Sequence, residues 1–390
     1  MIRVERRLGV PRWLPYVVPV GSLVAAAVIT AIVLLLSRHN PVTTYQQIYQ
    51  SAFVSPGAMS STFVYATPLL FTGLCAAVAF RMKVWNIGGE GQLYMGAVGA
   101  SGAGLALAGL PAPVILLAMV VAGMLAGAVW SAIPGLLRAF LRTNEILTSL
   151  MLNYVAGLFL YYLIYDSASY WRDLSSPSAK VFPVGKNLEP SAAWPAWHVA
   201  GLVIPMGFLV GVGVAGLLLG VIKLTRMGFE MRVIGEAPAA ARYAGMRTRR
   251  AVAWVMAASG AFAGLGGASQ IGDFGHVLDP RGLQQASYGY TGIVVAALAR
   301  YNPLAVVVVS FLIGALTNAG FALQGPQFPA GLVGAMEGII LFSVLAGEVL
   351  ARYRVVRGRP SAPPSEPGRS GVEVDRAEGV PGQPVGEVAP

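Results

Sequence analysis

Charge is scarce in this 390-residue chain: only 11% of its residues are Asp, Glu, Lys or Arg, against roughly 25% in an ordinary soluble domain. A chain so poor in charge has too little polar surface to cover itself in water. Cysteine is scarcer still. The single Cys75 excludes an internal disulfide and any cysteine-based metal cluster, and its apolar setting reads as packing. The three histidines, His39, His198 and His276, are scattered near expected loops, so no metal site is expected. No GxxxxGK[ST] run occurs, which argues against ATP binding in a P-loop of this chain's own. No nucleophile–base constellation stands out, and no catalytic residue is expected. The stretch Gly211-Val212-Gly213-Val214-Ala215-Gly216 fits GxGxxG but lacks a βαβ setting, so it reads as a small-residue stripe on a helix.

Apolar sequence is what the chain has in abundance. Hydrophobic residues reach 56%, with a mean hydropathy of +0.66. The 48 glycines sit inside apolar runs, where they resemble contacts between membrane helices. The pairs Gly123/Gly127, Gly260/Gly264 and Gly334/Gly338 fit that use. A membrane helix needs about 20 mostly apolar residues. Ten candidate segments result: 14–37, 60–80, 91–109, 112–133, 146–166, 199–222, 251–271, 289–300, 304–323 and 330–350. The eighth is too short to span alone and reads as a half-helix, or as one extending back through 284–287.

Basic residues orient the map. With the N-terminus inside and ten crossings, most of the 27 Lys and Arg fall on the cytoplasmic side. Only Arg38, Arg172, Lys180, Lys186 and Arg281 lie outside. The same asymmetry accounts for the net charge of +10, through topology and anionic lipid instead of nucleic acid. The apolar run of the first segment is longer than a signal-peptide core, so an uncleaved anchor is expected. Residues 167–197 form the longest external loop. Its Trp171, Trp194 and Trp197 suit a headgroup region or an external partner. Beyond about Arg359 the Pro/Gly/Glu-rich composition predicts a disordered tail.

Four segments carry polar chemistry. The run Asn86-Ile87-Gly88-Gly89-Glu90-Gly91-Gln92 gathers glycines, amides and a carboxylate at a membrane edge. It reads either as part of a solute route or as a tight turn before a capped helix. Asn144 suits an N-cap, with Glu145 at the positive end of the helix, while Asn153 sits deeper and calls for a polar partner. Glu337 is an intramembrane carboxylate, a functional candidate by default. Tyr288, Tyr290, Asn318 and Gln324 add groups able to meet a base or sugar. The fourth segment, Lys223–Arg250, carries seven basic residues against two acids between long apolar runs. Its helix-prone core, Gly235–Gly245, suits a groove on another protein.

Asn86–Gln92, Asn144–Tyr154, Gly235–Gly245 and Glu337–Phe342, in that order, resemble the permease subunits of bacterial ABC importers. The nearest group is the nucleoside and simple-sugar branch, akin to branched-chain amino acid and ribose permeases. The resemblance spans about residues 14–352. It implies an all-α membrane fold of about ten transmembrane helices in two inverted halves. Residues 1–352 would form the permease domain with a cytoplasmic coupling loop at 223–250, and 353–390 a disordered cytoplasmic tail. It implies no cofactor on this chain, with ATP and Mg on a partner ATPase. Further partners would be a second, similar but non-identical permease, an extracytoplasmic substrate-binding lipoprotein and membrane lipid, and not nucleic acid. The location would be the bacterial inner membrane, with both termini cytoplasmic. Gly235, Glu236, Ala240, Ala241, Arg242, Tyr243 and Gly245 would couple to the ATPase. Asn86, Gly89, Glu90, Gln92, Asn144, Glu145, Asn153, Tyr288, Tyr290, Asn318 and Glu337 are candidates for the route of nucleosides or related small polar solutes. Two features depart from the family pattern: the short eighth segment, and Pro238, which a coupling helix tolerates only near its start. Other readings stay open: an ion-coupled transporter using Glu337, a non-transporting assembly subunit, or the same architecture carrying sugars or branched-chain amino acids.

Overall fold

The computed structural model describes residues 2–6, 14–175, 177–199, 201–324 and 331–357. Strand β1 (Ile2–Arg6) precedes α1 (Leu14–Leu36), α2 (Pro41–Tyr49), α3 (Ala58–Arg81), α4 (Gly89–Ala106), α5 (Ala112–Leu141), α6 (Glu145–Tyr161) and the short α7 (Pro177–Val181). A hairpin, β2 (Ala196–Val199) and β3 (Leu202–Pro205), leads into α8 (Met206–Leu224), α9 (Arg226–Glu236), α10 (Pro238–Tyr243) and α11 (Thr248–Ser269). The chain continues through α12 (Pro280–Ala286), α13 (Tyr288–Leu298), α14 (Pro303–Ala322) and α15 (Gly331–Arg352) to β4 (Tyr353–Arg357). Wider π-type turns extend α6 over Tyr162–Asp166 and α11 over Gln270–Gly275.

A helix occupies each of the ten expected segments. Among the described residues, six of these helices are long and apolar enough to cross a membrane. The count rises to seven if Val20–Leu36 and Pro41–Val54, bent by 119°, form one span. The helices that fall short show why. α4 is diluted by glycine, Glu90 and Gln92, and it is covered by α5, α6 and α11. α13 has 11 residues, about 16 Å of helix.

The core sits around α3, whose residues from Ala66 to Phe80 are buried throughout and which packs against α11, α13 and α14. α5, α4 and α11 form a second tight layer, and there glycine sets the spacing. A Cβ on Gly127 would lie 2.3 Å from the Gly260 carbonyl, and one on Gly264 would lie 2.2 Å from that of Gly123. Those two pairs pack as expected. Gly334 and Gly338 do not: nothing lies within 4 Å of a Cβ at either, so they face open space on this chain. The stripe on α8 is likewise split, with Gly211 against Leu70 and Gly213 and Gly216 open.

Three local expectations are corrected. The sixth span begins at Met206, not near residue 199, because Trp197–Val199 and the β-branched Val203-Ile204 pair as antiparallel strands, with Gly201 at φ +82 in the turn. Tyr353–Arg357, expected to open the tail, forms β4 and pairs antiparallel with β1, Ile2 opposite Arg357. The disorder expected beyond Arg359 concerns residues outside those described. Finally, two of the external tryptophans turn inward. Trp171 donates its indole N–H to the Val98 carbonyl at 3.1 Å, and Trp194 is buried against Gly272, while Trp197 is exposed.

Candidate functional site

Two helix starts meet in the interior. α4 begins at Gly89 and α13 at Tyr288, and a Cβ on Gly289 would lie 2.2 Å from the Glu90 amide nitrogen. Only glycine permits that approach. The first amides of a helix lack partners within it. At α13 the N-cap residue, Ser287, makes no side-chain cap bond. Glu90 supplies the missing acceptor from across the interface. Its Oε2 accepts from the Gly289 and Tyr290 amides at 2.5 and 3.2 Å, and its Oε1 accepts from the Tyr94 hydroxyl at 2.6 Å. A buried carboxylate is tolerable when so placed, with hydrogen bonds on both oxygens and a positive helix end facing it.

Asn153, projecting from α6, holds the third side. Its Oδ1 accepts from the Gly91 amide at 2.9 Å, and its Nδ2 donates to the Ile87 carbonyl at 2.9 Å and the Tyr290 hydroxyl at 3.3 Å. The deep amide thus has its polar partners. Beside this junction lies a half-open cavity of about 270 Å³. Glu90, Tyr94, Asn153, Tyr154, Tyr161, Gln284 and Tyr290 line it together with Gly157, Leu158 and Ser287. Tyrosine faces, amides and hydroxyls therefore surround the space, and none of its ten lining residues is cationic.

Of the candidate route residues, the cavity collects Glu90, Asn153 and Tyr290. Gly89 stands behind them, with a Cβ there in ordinary contact with Gly289. Asn86 and Gln92 turn into a separate buried cluster with Cys75 and Ser259. Asn86 Nδ2 donates to Gln92 Oε1 at 3.0 Å and Ser259 Oγ at 2.9 Å. Asn144 caps α6, accepting from the Ile146 amide at 2.9 Å, and Glu145 pairs with Arg138 at 3.2 Å. Tyr288 is buried outside the cavity lining. Asn318 lies elsewhere again, its Nδ2 donating to the Ser51 and Ala58 carbonyls and the Thr62 hydroxyl. Glu337 falls on α15, and its side chain lies outside the described residues. The reading of the sequence missed Tyr94, Tyr154, Tyr161 and Gln284. Tyr94 follows Glu90 by one helical turn, and Tyr161 follows Tyr154 by two, a spacing that would have flagged them. Asp273 was also missed: its carboxylate accepts from the Gly207 amide in the first turn of α8, a second helix start capped from a distant segment.

The polar segment after α8 folds as two helices with a break at Ala237, and Pro238 stands at the start of α10, where its missing N–H is harmless. Gly235 is buried against the backbone of Arg81 and Met82, and Ala241 is buried as well. Glu236, Ala240, Arg242, Tyr243 and Gly245 face outward, Tyr243 at 97% exposure. Gly245, at φ +73, ends the helix in the left-handed conformation. The outward face of α10 is small and nearly flat, apart from one ring and one guanidinium.

A family model described as branched-chain amino acid transport system, permease component, matches residues 58–346. The chain is 31% identical to the Glucose ABC transporter permease protein TsgB13 of Haloferax volcanii, over 91% of this chain and 93% of that protein. It is 27% identical to the Nucleoside ABC transporter permease protein NupB of Lactococcus lactis, over 84% of this chain and 90% of that one. It is 29% identical to the Guanosine ABC transporter permease protein NupP of Bacillus subtilis, over 77% and 84%.

Proposed function

This chain belongs to the branched-chain amino acid transport system permease family, the membrane component of ABC importers, and from that premise we propose that its cargo is a nucleoside. The observation that carries the proposal is the lining of the inner cavity. Four tyrosine rings offer faces to a planar base, and the side-chain oxygens of Asn153 and Gln284 keep lone pairs that can accept from base edges or ribose hydroxyls. The absence of a lining cation disfavours the carboxylate of an amino acid or the phosphate of a nucleotide. Relatives named for nucleosides and guanosine agree with this reading.

ATP hydrolysis belongs to a separate subunit. We assign its docking surface to the outward face of α9 and α10, with Glu236, Arg242 and Tyr243 as the contacts and Gly245 closing the helix. A second, similar permease would face the open side of the cavity, and an extracytoplasmic lipoprotein would deliver the cargo. Both termini would be cytoplasmic, a reading supported by the pairing of Ile2–Arg6 with Tyr353–Arg357, segments that flank all the candidate spans. The ten-span reading counts α12 and α13 as one broken crossing. Inverted halves are consistent with each half supplying one helix start, α4 and α13, to the same junction. Transport then proceeds by alternating access, with closure of the ATPases passed through α10 to the helices.

Uptake by the complete importer in proteoliposomes tests the cargo. Labelled guanosine or uridine should accumulate with ATP, and unlabelled glucose or leucine should not compete. Accumulation of glucose without competition by nucleosides overturns the assignment. Removal of residues 235–245 should abolish stimulated ATP hydrolysis while membrane insertion persists, and transport that survives the removal rejects the coupling role.

A further inference from the structure

α12 stands between two cavities. Its C-terminal end gives Gln284 and Ser287 to the inner one, whose opposite wall is α6. Its N-terminal end gives Asp279, Pro280 and Arg281 to a second cavity of about 460 Å³, whose opposite wall is Ile164 and Tyr165 in the π-type turn that prolongs α6. The loop segment 182–185 closes that outer space. The cavities share two walls at successive depths but no lining residue.

A thin layer of contacts separates them. The Arg281 guanidinium lies over the Tyr165 ring, 5.0 Å from its centroid. The Tyr161 and Tyr165 rings are 4.3 Å apart. One turn further in, Gln284 Nε2 donates to the Gly157 carbonyl at 3.1 Å. The helix carrying these groups has seven residues and is bounded by His276 at φ 48 and Ser287 at φ 49. Left-handed backbone is uncommon outside glycine and marks sharp turns in the chain. A short helix with a left-handed residue before and after it, seated by the buried Leu283 and held to α6 by two side chains, is a unit that can shift as a body.

The geometry points to the outer cavity as an entry subsite for cargo, with α12 as the gate between it and the inner cavity and Arg281 and Gln284 as its latches. The chemistry suits a planar ring. Tyr165 and Phe182 are the aromatic faces of the outer space, and the Tyr165 ring is occupied by the Arg281 cation. An arriving base that stacks on Tyr165 competes with Arg281 for the same face, so cargo itself loosens the latch. The gate presupposes the transport role proposed above, but not the identity of the cargo.

Two measurements on the complete importer in proteoliposomes test it. In the first, Tyr154→Cys places a thiol in the inner cavity, with the native Cys75 buried and silent. Labelling by a membrane-impermeant reagent from the extracytoplasmic side should rise at least tenfold when Arg281→Ala and Gln284→Ala are added. An unchanged rate overturns the gate. In the second, Gly157→Cys and Gln284→Cys are bridged by a short reducible bis-thiol reagent. A Cβ on Gly157 would lie 3.5 Å from the tip of Gln284, so the pair is within reach. Uptake should fall at least tenfold when bridged and return on reduction to the level of the same variant never bridged, which excludes a folding defect. Bridged complexes that transport at the reduced rate overturn the gate. If the reduced complex carries glucose and not nucleosides, the cargo assignment fails while the same comparison, made with glucose, still decides the gate.

Discussion

Replacing Glu90 separates two roles that its position allows, cap and cargo contact. The carboxylate takes three donors, the amides of Gly289 and Tyr290 and the hydroxyl of Tyr94. Glu90→Ala leaves all three without that acceptor, two of them buried and the Tyr290 amide part-buried. Each such loss costs about 1–3 kcal/mol, so the gross penalty is about 3–9 kcal/mol. Release from the desolvation of a buried carboxylate offsets several kcal/mol of that. A net loss of about 2–4 kcal/mol is expected. Glu90→Gln keeps an oxygen for the two amides and can donate its NH₂ to the Tyr94 oxygen. It forfeits only the charge–dipole attraction at the start of α13, about 0.3–2 kcal/mol. The assay is thermal unfolding of the purified importer, paired with nucleoside uptake. Glu90→Ala should lower the melting temperature and uptake together. Glu90→Gln should stay near wild type in stability, with uptake reduced less than tenfold. If Glu90→Ala is as stable as wild type while Glu90→Gln abolishes uptake, the charge itself serves the cargo and the capping account is wrong.

Further outcomes follow from the same geometry. Gly289→Ala would force a Cβ to within 2.2 Å of the Glu90 backbone and should destabilise the protein by about 1–3 kcal/mol. Gly89→Ala meets its neighbours at an ordinary 3.8 Å and should be tolerated; equal melting temperatures for the two would refute the close junction. Asn318→Leu should cost about 1–3 kcal/mol through the lost hydrogen bonds to Ser51, Ala58 and Thr62. It should leave cargo preference unchanged, measured by competition uptake, because Asn318 lies outside the cavity. Tyr243→Asp, on a fully open surface, should change stability by less than about 0.5 kcal/mol yet abolish stimulated ATP hydrolysis; retention of stimulation would move the docking surface elsewhere.

How much of this was legible in the sequence depended on the range of each interaction. Apolar runs of membrane length marked the six helices that, among the described residues, are long and apolar enough to cross, since hydrocarbon demands about 20 such residues wherever they occur. Asn144 was readable as a cap because its acceptor serves amides two and three residues on. Pro238 could be placed at a helix start by its missing N–H alone. The caps on α13 and α8 were not readable, because Glu90 acts on Gly289 from 199 residues away and Asp273 on Gly207 from 66. For the same reason the polar residues flagged as one route are dispersed. Asn86 and Gln92 face a buried cluster, Asn144 and Glu145 stay at the start of α6, Asn318 bonds to Ser51, Ala58 and Thr62, and among the described side chains Glu90, Asn153 and Tyr290 reach the cavity. The strand character of residues 196–205 was masked by hydropathy, which reads Leu202-Val203-Ile204 as readily into a span as into a hairpin.

The pairing of β1 with β4 dictates an order of events during synthesis. Ile2–Arg6 is translated before α1, whereas its partner, Tyr353–Arg357, is translated only after α15. The opening strand must therefore wait, unpaired, while every helix between them is laid down. Its annealing cannot precede the synthesis of β4, so a nascent chain halted before Tyr353 should leave Ile2–Arg6 as open to protease as an unfolded peptide.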